Sequence, residues 1–96
     1  MSPDLCQSLQ TLGWALDEKH SAANKHFQFR DFVDAFEFMA QIALEAERLG
    51  HHPDWRNVYR DVWVTLTTHD AGGLTPLDLA LAKSCDRAFD SVIRGK

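Results

Sequence analysis

Val58 to Thr68 reads VYRDVWVTLTT, a run rich in β-branched and aromatic residues, which suit the pleated surface of a sheet. Val62, Val64 and Leu66 share one face, while Asp61, Trp63, Thr65, Thr67 and His69 share the other. The first face belongs to a core. The second mixes polar groups with one large aromatic, so it meets solvent, a second subunit or the approach to a site. What flanks this strand decides the architecture.

Upstream, Asp31 is placed to cap a helix, with Asp34 three residues later set favourably against the N-terminal dipole. Phe32, Phe36, Met39, Ala43 and Ala46 fall on one stripe, widened by Val33, Ala40 and Leu44, and Gly50 is suited to the left-handed residue that ends the helix. This is the expected core helix. Before it, Phe27 and Phe29 point to one face and Gln28 to the other, a half-buried strand. Trp14 to Leu16 is a brief extended segment, the polar run Asp17 to Asn24 a turn, and the two strands form a hairpin. Ser2-Pro3 starts a short helix carrying Leu5, Leu9 and Leu12, closed by Gly13.

Downstream, Ala71-Gly72-Gly73 is a loop, without the lysine and spacing of a phosphate-binding one. Thr75-Pro76-Leu77-Asp78 is a strong helix start, with an N-cap threonine, proline at the first position and an acid at the third. Leu77, Leu81, Cys85, Ala88, Phe89 and Val92 form the stripe of that helix, which Gly95 ends. Strands separated by helices give an α+β two-layer sandwich, a small antiparallel sheet with helices packed on one face. A chain of 96 residues has room for one core, so a single domain over residues 1–96 is expected.

Composition narrows the function. Lys and Arg number 10 against 14 Asp and Glu, for a formal charge of -4, the wrong sign for a phosphate-backbone binder, so no nucleic-acid partner is expected. The longest apolar window, Phe32 to Leu49, is broken by Asp34, Glu37, Glu45, Glu47 and Arg48, so no membrane span is expected. MSPDLCQS has neither region of a signal peptide, which makes a cytoplasmic protein the expectation. Cys6 and Cys85 stand alone and are read as reduced thiols.

The chemistry concentrates between Glu47 and Asp78. His51, His52 and His69 belong to the residue type that gives and takes protons near neutral pH. A helix C-terminus beside a strand end would bring His51 and His69 around one small molecule, with His52 orienting it. The plainer account of adjacent histidines is helix capping, where positive charge meets the dipole. Zinc is disfavoured, since there is no HExxH, no cysteine partner and no carboxylate at ligand spacing. Asp78 supports its helix N-terminus whatever else it does, and Glu47, at the unfavourable end of its own helix, wants a partner such as a histidine or a substrate N–H. Trp55 and Tyr59 read either as core or interface aromatics or as flanks of a flat heterocycle.

These residues carry a family resemblance. Glu47, three residues, His51-His52-Pro53, five residues, Tyr59, nine residues, His69, eight residues, then Asp78 closely resembles the signature of the pterin-4a-carbinolamine dehydratases. Gly13-Trp14, Phe27-Gln28-Phe29, HHPDWRNVY and VTLTTHDAGGLT look like that family as well. Gly50 stands where some members have an acid and Trp63 where some have a histidine, so any auxiliary role of those positions is not carried over.

The resemblance implies a dehydratase without metal or cofactor, acting on 4a-hydroxytetrahydropterin, the product left when an aromatic amino acid hydroxylase consumes its pterin. It implies His51 and His69 as acid–base groups, His52 as the substrate-positioning histidine, Glu47 and Asp78 as polar support, and Pro53 and Trp55 as pocket wall. It implies a homodimer or homotetramer too. The competing class is an interaction module that stabilises a transcription-factor dimer and keeps the pocket without using it.

Overall fold

The computed structural model describes residues 3–95, and the proposed cap Ser2 lies outside them. Helix α1 (Pro3–Thr11) leads through Gly13, at φ +90°, into β1 (Ala15–Leu16) and β2 (Ala23–Gln28). Helix α2 (Phe32–Leu49) follows, then β3 (Asp54–Val58) and β4 (Asp61–Leu66), a short 3-10 turn (His69–Ala71) and helix α3 (Pro76–Arg94). The strands form one antiparallel sheet in the order β1-β2-β4-β3. It is the expected α+β layering.

Both ends of α2 form as their sequence suggests. Asp31 caps the start by accepting the Asp34 N–H at 2.8 Å, and Gly50 ends it at φ +63°. The buried stripe differs from expectation. Ala35, Phe38, Ile42 and Ala46 face the core, whereas Phe36 is 59% and Leu44 74% exposed, and Phe32, Val33, Ala40 and Ala43 are exposed with them. Helix α2 is apolar on two adjoining faces, and periodicity alone cannot say which one the sheet covers. Asp34, buried beside Ala35, obscures the true stripe at sequence level.

The extended run from Val58 to Thr68 is also cut differently. It belongs to a hairpin whose first strand takes in Asp54 and Trp55, with Tyr59 and Arg60 as the two-residue turn between Val58 and Asp61. Tyr59 sits at φ +53°, a conformation that costs a side chain-bearing residue energy and that Gly or Asn usually fills. Asn57 holds it, its Nδ2 donating to the Tyr59 and Asp61 carbonyls at 3.1 and 2.9 Å. The first loop is shorter than expected, because Ala23 and Asn24 already pair with β1. Asp17 closes that loop by accepting from Ser21 N, Ser21 Oγ and Ala22 N, and the Ser21 bonds hold its carboxyl below the usual range.

Val62, Val64 and Leu66 are buried, as the alternation predicts. Phe27 and Phe29 meet Phe38 from α2 and Phe89 from α3 with ring centroids 4.9 to 5.3 Å apart. Leu5 and Leu9 bring α1 onto the same core. Leu81, Cys85, Ala88 and Val92 do so for α3, while Leu77 points outward at the helix's first turn. Lys25 clips the helix layer to the sheet, its Nζ donating to Leu12 O and Asp86 Oδ1, both at 2.8 Å. Cys6 and Cys85 are buried thiols. No described helix is long and apolar enough to cross a membrane.

Phe38→Ala removes a side chain with no exposed surface and is expected to cost about 3–5 kcal/mol. Leu77→Ala is expected to change stability by no more than ~0.5 kcal/mol, as at an ordinary surface position. Urea unfolding midpoints at fixed protein concentration check both, and comparable losses would contradict the assigned stripes.

Candidate active site

Four element ends meet around the histidines: the C-terminus of α2, the start of β3, the end of β4 and the N-terminus of α3. The left-handed Gly50 turns the chain back, with Gly50 N–H bonded to Glu47 O and His51 N–H to Ala46 O. His51 is thereby carried to the start of α3. Its Nε2 lies 2.5 Å from Asp78 Oδ1, with 10% of the histidine side chain exposed and none of the aspartate's. Asp78 Oδ2 accepts the Thr75 N–H at 2.9 Å and the Thr68 hydroxyl at 2.7 Å. A buried carboxylate is costly unless its oxygens are hydrogen-bonded, and both of these are. A carboxylate oxygen accepts here, so the hydrogen between the two lies on His51 Nε2.

His52 points elsewhere, and its Nε2 pairs with Glu47 Oε2. Glu47 thus finds the histidine partner its position called for. Both side chains are largely exposed, so the pair orients more than it stabilises. The strand β4 ends at Leu66, so His69 opens the 3-10 turn instead of ending the strand. A bridge between Thr68 and Gly73, with Gly72 at φ +74°, folds that turn back.

A cavity of about 170 Å³ is lined by His52, Pro53, Asp54, Thr65, Thr67 and His69. The structure therefore brings His52, Pro53 and His69 together. Glu47 joins them through His52, and His51 with Asp78 forms the buried pair beside them in the chain. Trp55 goes elsewhere. Opposite Val64 in the register, it packs against the core, because alternation turns it away from the face that Asp54 and Thr65 share. Tyr59 lies at the far end of the β3–β4 hairpin, five residues or roughly 17 Å from Asp54.

Asp54, Thr65 and Thr67 were not singled out by sequence, although the period of two already placed Thr65 and Thr67 on the face of His69. Threonine in a strand reads as β-propensity first. Thr67 is fixed by donating to Ser21 O at 2.7 Å, which ties the first loop to the cavity wall. A larger groove of about 490 Å³ runs between α1 and α3, lined by Asp4, Gln7, Ser8, Thr11, Leu12 and Lys83. It gathers no histidine, and the clustered histidines make the smaller cavity the candidate site. Among the described residues, no three His, Cys, Asp or Glu side chains converge as a metal ion would require.

A small α+β protein with clustered histidines backed by carboxylates defines a class equipped to move protons on a bound molecule. This chain belongs to the pterin 4 alpha carbinolamine dehydratase family, whose sequence profile matches residues 2–88. It is 56% identical over 82 residues to a protein provisionally named pterin-4-alpha-carbinolamine dehydratase from Rhizobium johnstonii, covering 85% of this chain and 81% of that one. A Mesorhizobium japonicum protein of the same provisional name is 52% identical over 83 residues, covering 85% of each. A transcriptional coactivator/pterin dehydratase from Brucella melitensis shares the fold at a TM-score of 0.85 and 41% identity, over 92% of this chain and 96% of that one. A pterin dehydratase-like protein identified as a RuBisCO assembly factor in the alpha-carboxysome shares the fold at a TM-score of 0.68 and 22% identity, over 79% and 88%.

Cys85 is poorly suited to nucleophilic chemistry, being a fully buried thiol. Burial first, and then the Asp86 charge, push its thiol up to about 12 from 9.0. The folded protein at pH 8 is expected to leave Cys85 unmodified by iodoacetamide and to expose it only when unfolded, as peptide mass mapping will show. Rapid labelling of the folded chain would contradict the assigned burial.

Proposed function

We propose that the protein removes water from a 4a-hydroxytetrahydropterin to give the quinonoid dihydropterin, by histidine acid–base catalysis. The observation that carries this reading is the cavity walled by His52 and His69, with the buried His51–Asp78 pair alongside, in a chain of the dehydratase family.

The reaction asks little beyond proton transfer. The C4a–O bond breaks as its hydroxyl receives a proton and leaves as water; a ring N–H gives up a proton and its electron pair forms the C=N bond. No electron is exchanged with the protein, and no cofactor enters the scheme. His51 and His69 serve as the acid–base groups. His52, steered by Glu47, positions the ring, and Pro53 shapes the wall with Asp54, Thr65 and Thr67. Asp78 fixes His51 by holding its Nε2–H. Trp55 supports the wall from the core side by anchoring the start of β3, a role different from contact with the substrate. An aromatic amino acid hydroxylase is the functional companion, since its spent pterin is the substrate.

A homo-oligomer is part of the proposal. Phe32, Val33, Phe36, Ala40, Ala43 and Leu44 leave one side of α2 apolar and bare, a surface that a second copy of the chain would bury. The same face also favours the second reading, an interaction module whose partner is another protein.

Enzymatically generated 4a-hydroxytetrahydropterin is expected to decay faster with the protein than without it, undiminished by a chelator, when followed by absorbance. His51→Ala and His69→Ala are each expected to lower turnover roughly 10²–10⁴-fold while remaining folded, with His52→Ala acting mainly on KM. No acceleration by folded wild-type protein would leave the interaction module standing. Phe36→Glu is expected to convert the oligomer to monomer in light scattering, and an unchanged mass would place the interface elsewhere.

A further inference from the structure

Thr67, Thr68 and His69 are consecutive, and their side chains divide. Thr67 and His69 line the cavity, whereas Thr68 turns the other way and donates its hydroxyl to Asp78 Oδ2 at 2.7 Å. The division follows from the extended backbone at Thr68, where neighbouring side chains point to opposite sides. Thr68 Oγ1 also lies 2.9 Å from Thr75 Oγ1. A hydroxyl has one proton, and that of Thr68 goes to the carboxylate, so Thr75 must supply the proton between the two threonines. The result is a directed chain, Thr75 O–H to Thr68, Thr68 O–H to Asp78, ending on the carboxylate that receives His51 Nε2–H.

We propose that Thr68, oriented by Thr75, is a positioning residue of the dehydration. Its hydroxyl confines the Asp78 carboxylate so that His51 stays in the Nε2–H tautomer and keeps Nδ1 for proton exchange. This rests on the reading of the protein as a dehydratase. The main chain of Thr68 is already committed, its N–H and C=O both bonded to Gly73, so the hydroxyl is the part that a substitution can remove cleanly. Its loss leaves Oδ2 with the Thr75 N–H alone, so the carboxylate that meets His51 on Oδ1 is held by two hydrogen bonds instead of three.

The test compares Thr68→Val, which keeps the shape and loses the hydroxyl, with Thr68→Ser, which keeps the hydroxyl and loses a methyl group. Thr68→Val is expected to lower kcat by about ten- to a hundred-fold, the worth of one hydrogen bond to a charged group, with KM nearly unchanged. Thr68→Ser is expected to restore most of the rate. A role in packing alone predicts the reverse order, with Val the better substitute, and that outcome overturns the proposal. Should the Val variant fail to fold, Ser and Ala carry the same comparison, since they differ by the hydroxyl, and equal kcat values for those two overturn it. Imidazole ¹⁵N resonances supply a readout independent of turnover: His51 is expected as the Nε2–H tautomer in wild type and as a tautomer mixture in the Val or Ala variant. A wild-type protein that fails to accelerate dehydration defeats the functional reading; an active wild type with an equally active Val variant defeats only the role of Thr68.

Discussion

A carboxylate with no exposed surface sits at the third residue of α3, and much of the surrounding chain is arranged to make that tolerable. An unsatisfied buried charge is costly, so Asp78 must find donors for both oxygens. One comes from its own helix start, one from the loop after β4 and one from the chain that leaves α2. Satisfying one aspartate thus joins three segments far apart in sequence. The helix dipole adds its favourable end at the same point. The histidine that results is fixed by a partner that water does not reach.

The parts of the fold set by local chemistry were readable from residues. Asp31 and Gly50 bound α2, Thr75-Pro76 opens α3, and Val62, Val64 and Leu66 mark the buried side of β4. Each depends on neighbours within a few positions. The face of α2 turned to the sheet was not readable, because Phe32 and Phe36 are as apolar as Phe38 and only the tertiary contact distinguishes them. The β3–β4 turn was hidden for another reason: Tyr59-Arg60 lacks the Asn-Gly chemistry of a tight hairpin, and Asn57 pins it from outside the turn. In the site, residue types pointed to the three histidines and two acids. Their pairing did not follow from spacing, since adjacent His51 and His52 take different carboxylates from opposite sides in sequence.

The outer face of the sheet shows how a large aromatic can lie away from the core. Trp63 stacks on His26 with ring centroids 4.8 Å apart and an interplanar angle of 6°, and the Arg56 guanidinium lies over it at 4.1 Å. All three occupy one cross-strand row, Arg56 opposite Trp63 opposite His26. Asp61 takes the far end of the row by bonding His26, which holds that carboxyl below its usual range. Cross-strand contacts of this kind stabilise a sheet without a second layer. They let β4 carry the core on one side and, two residues further along, the wall of the cavity on the other.

Functional groups here also complete the backbone. His51 N–H satisfies a carbonyl in the last turn of α2, and Asp78 satisfies an N–H before α3 while receiving the His51 ring. Helix ends are where unpaired backbone groups collect, so ionisable residues placed there complete the backbone as well as one another. A small core leaves little stability to spend on a strained site, and this arrangement asks for little, since each buried polar group in it has a partner. The exposed pair obeys the opposite logic. Glu47 and His52 contribute little to folding, and they lack the burial that fixes His51. A site built this way divides into a buried half, in which a fully buried carboxylate holds His51, and an exposed half, in which Glu47 holds His52 within reach of water.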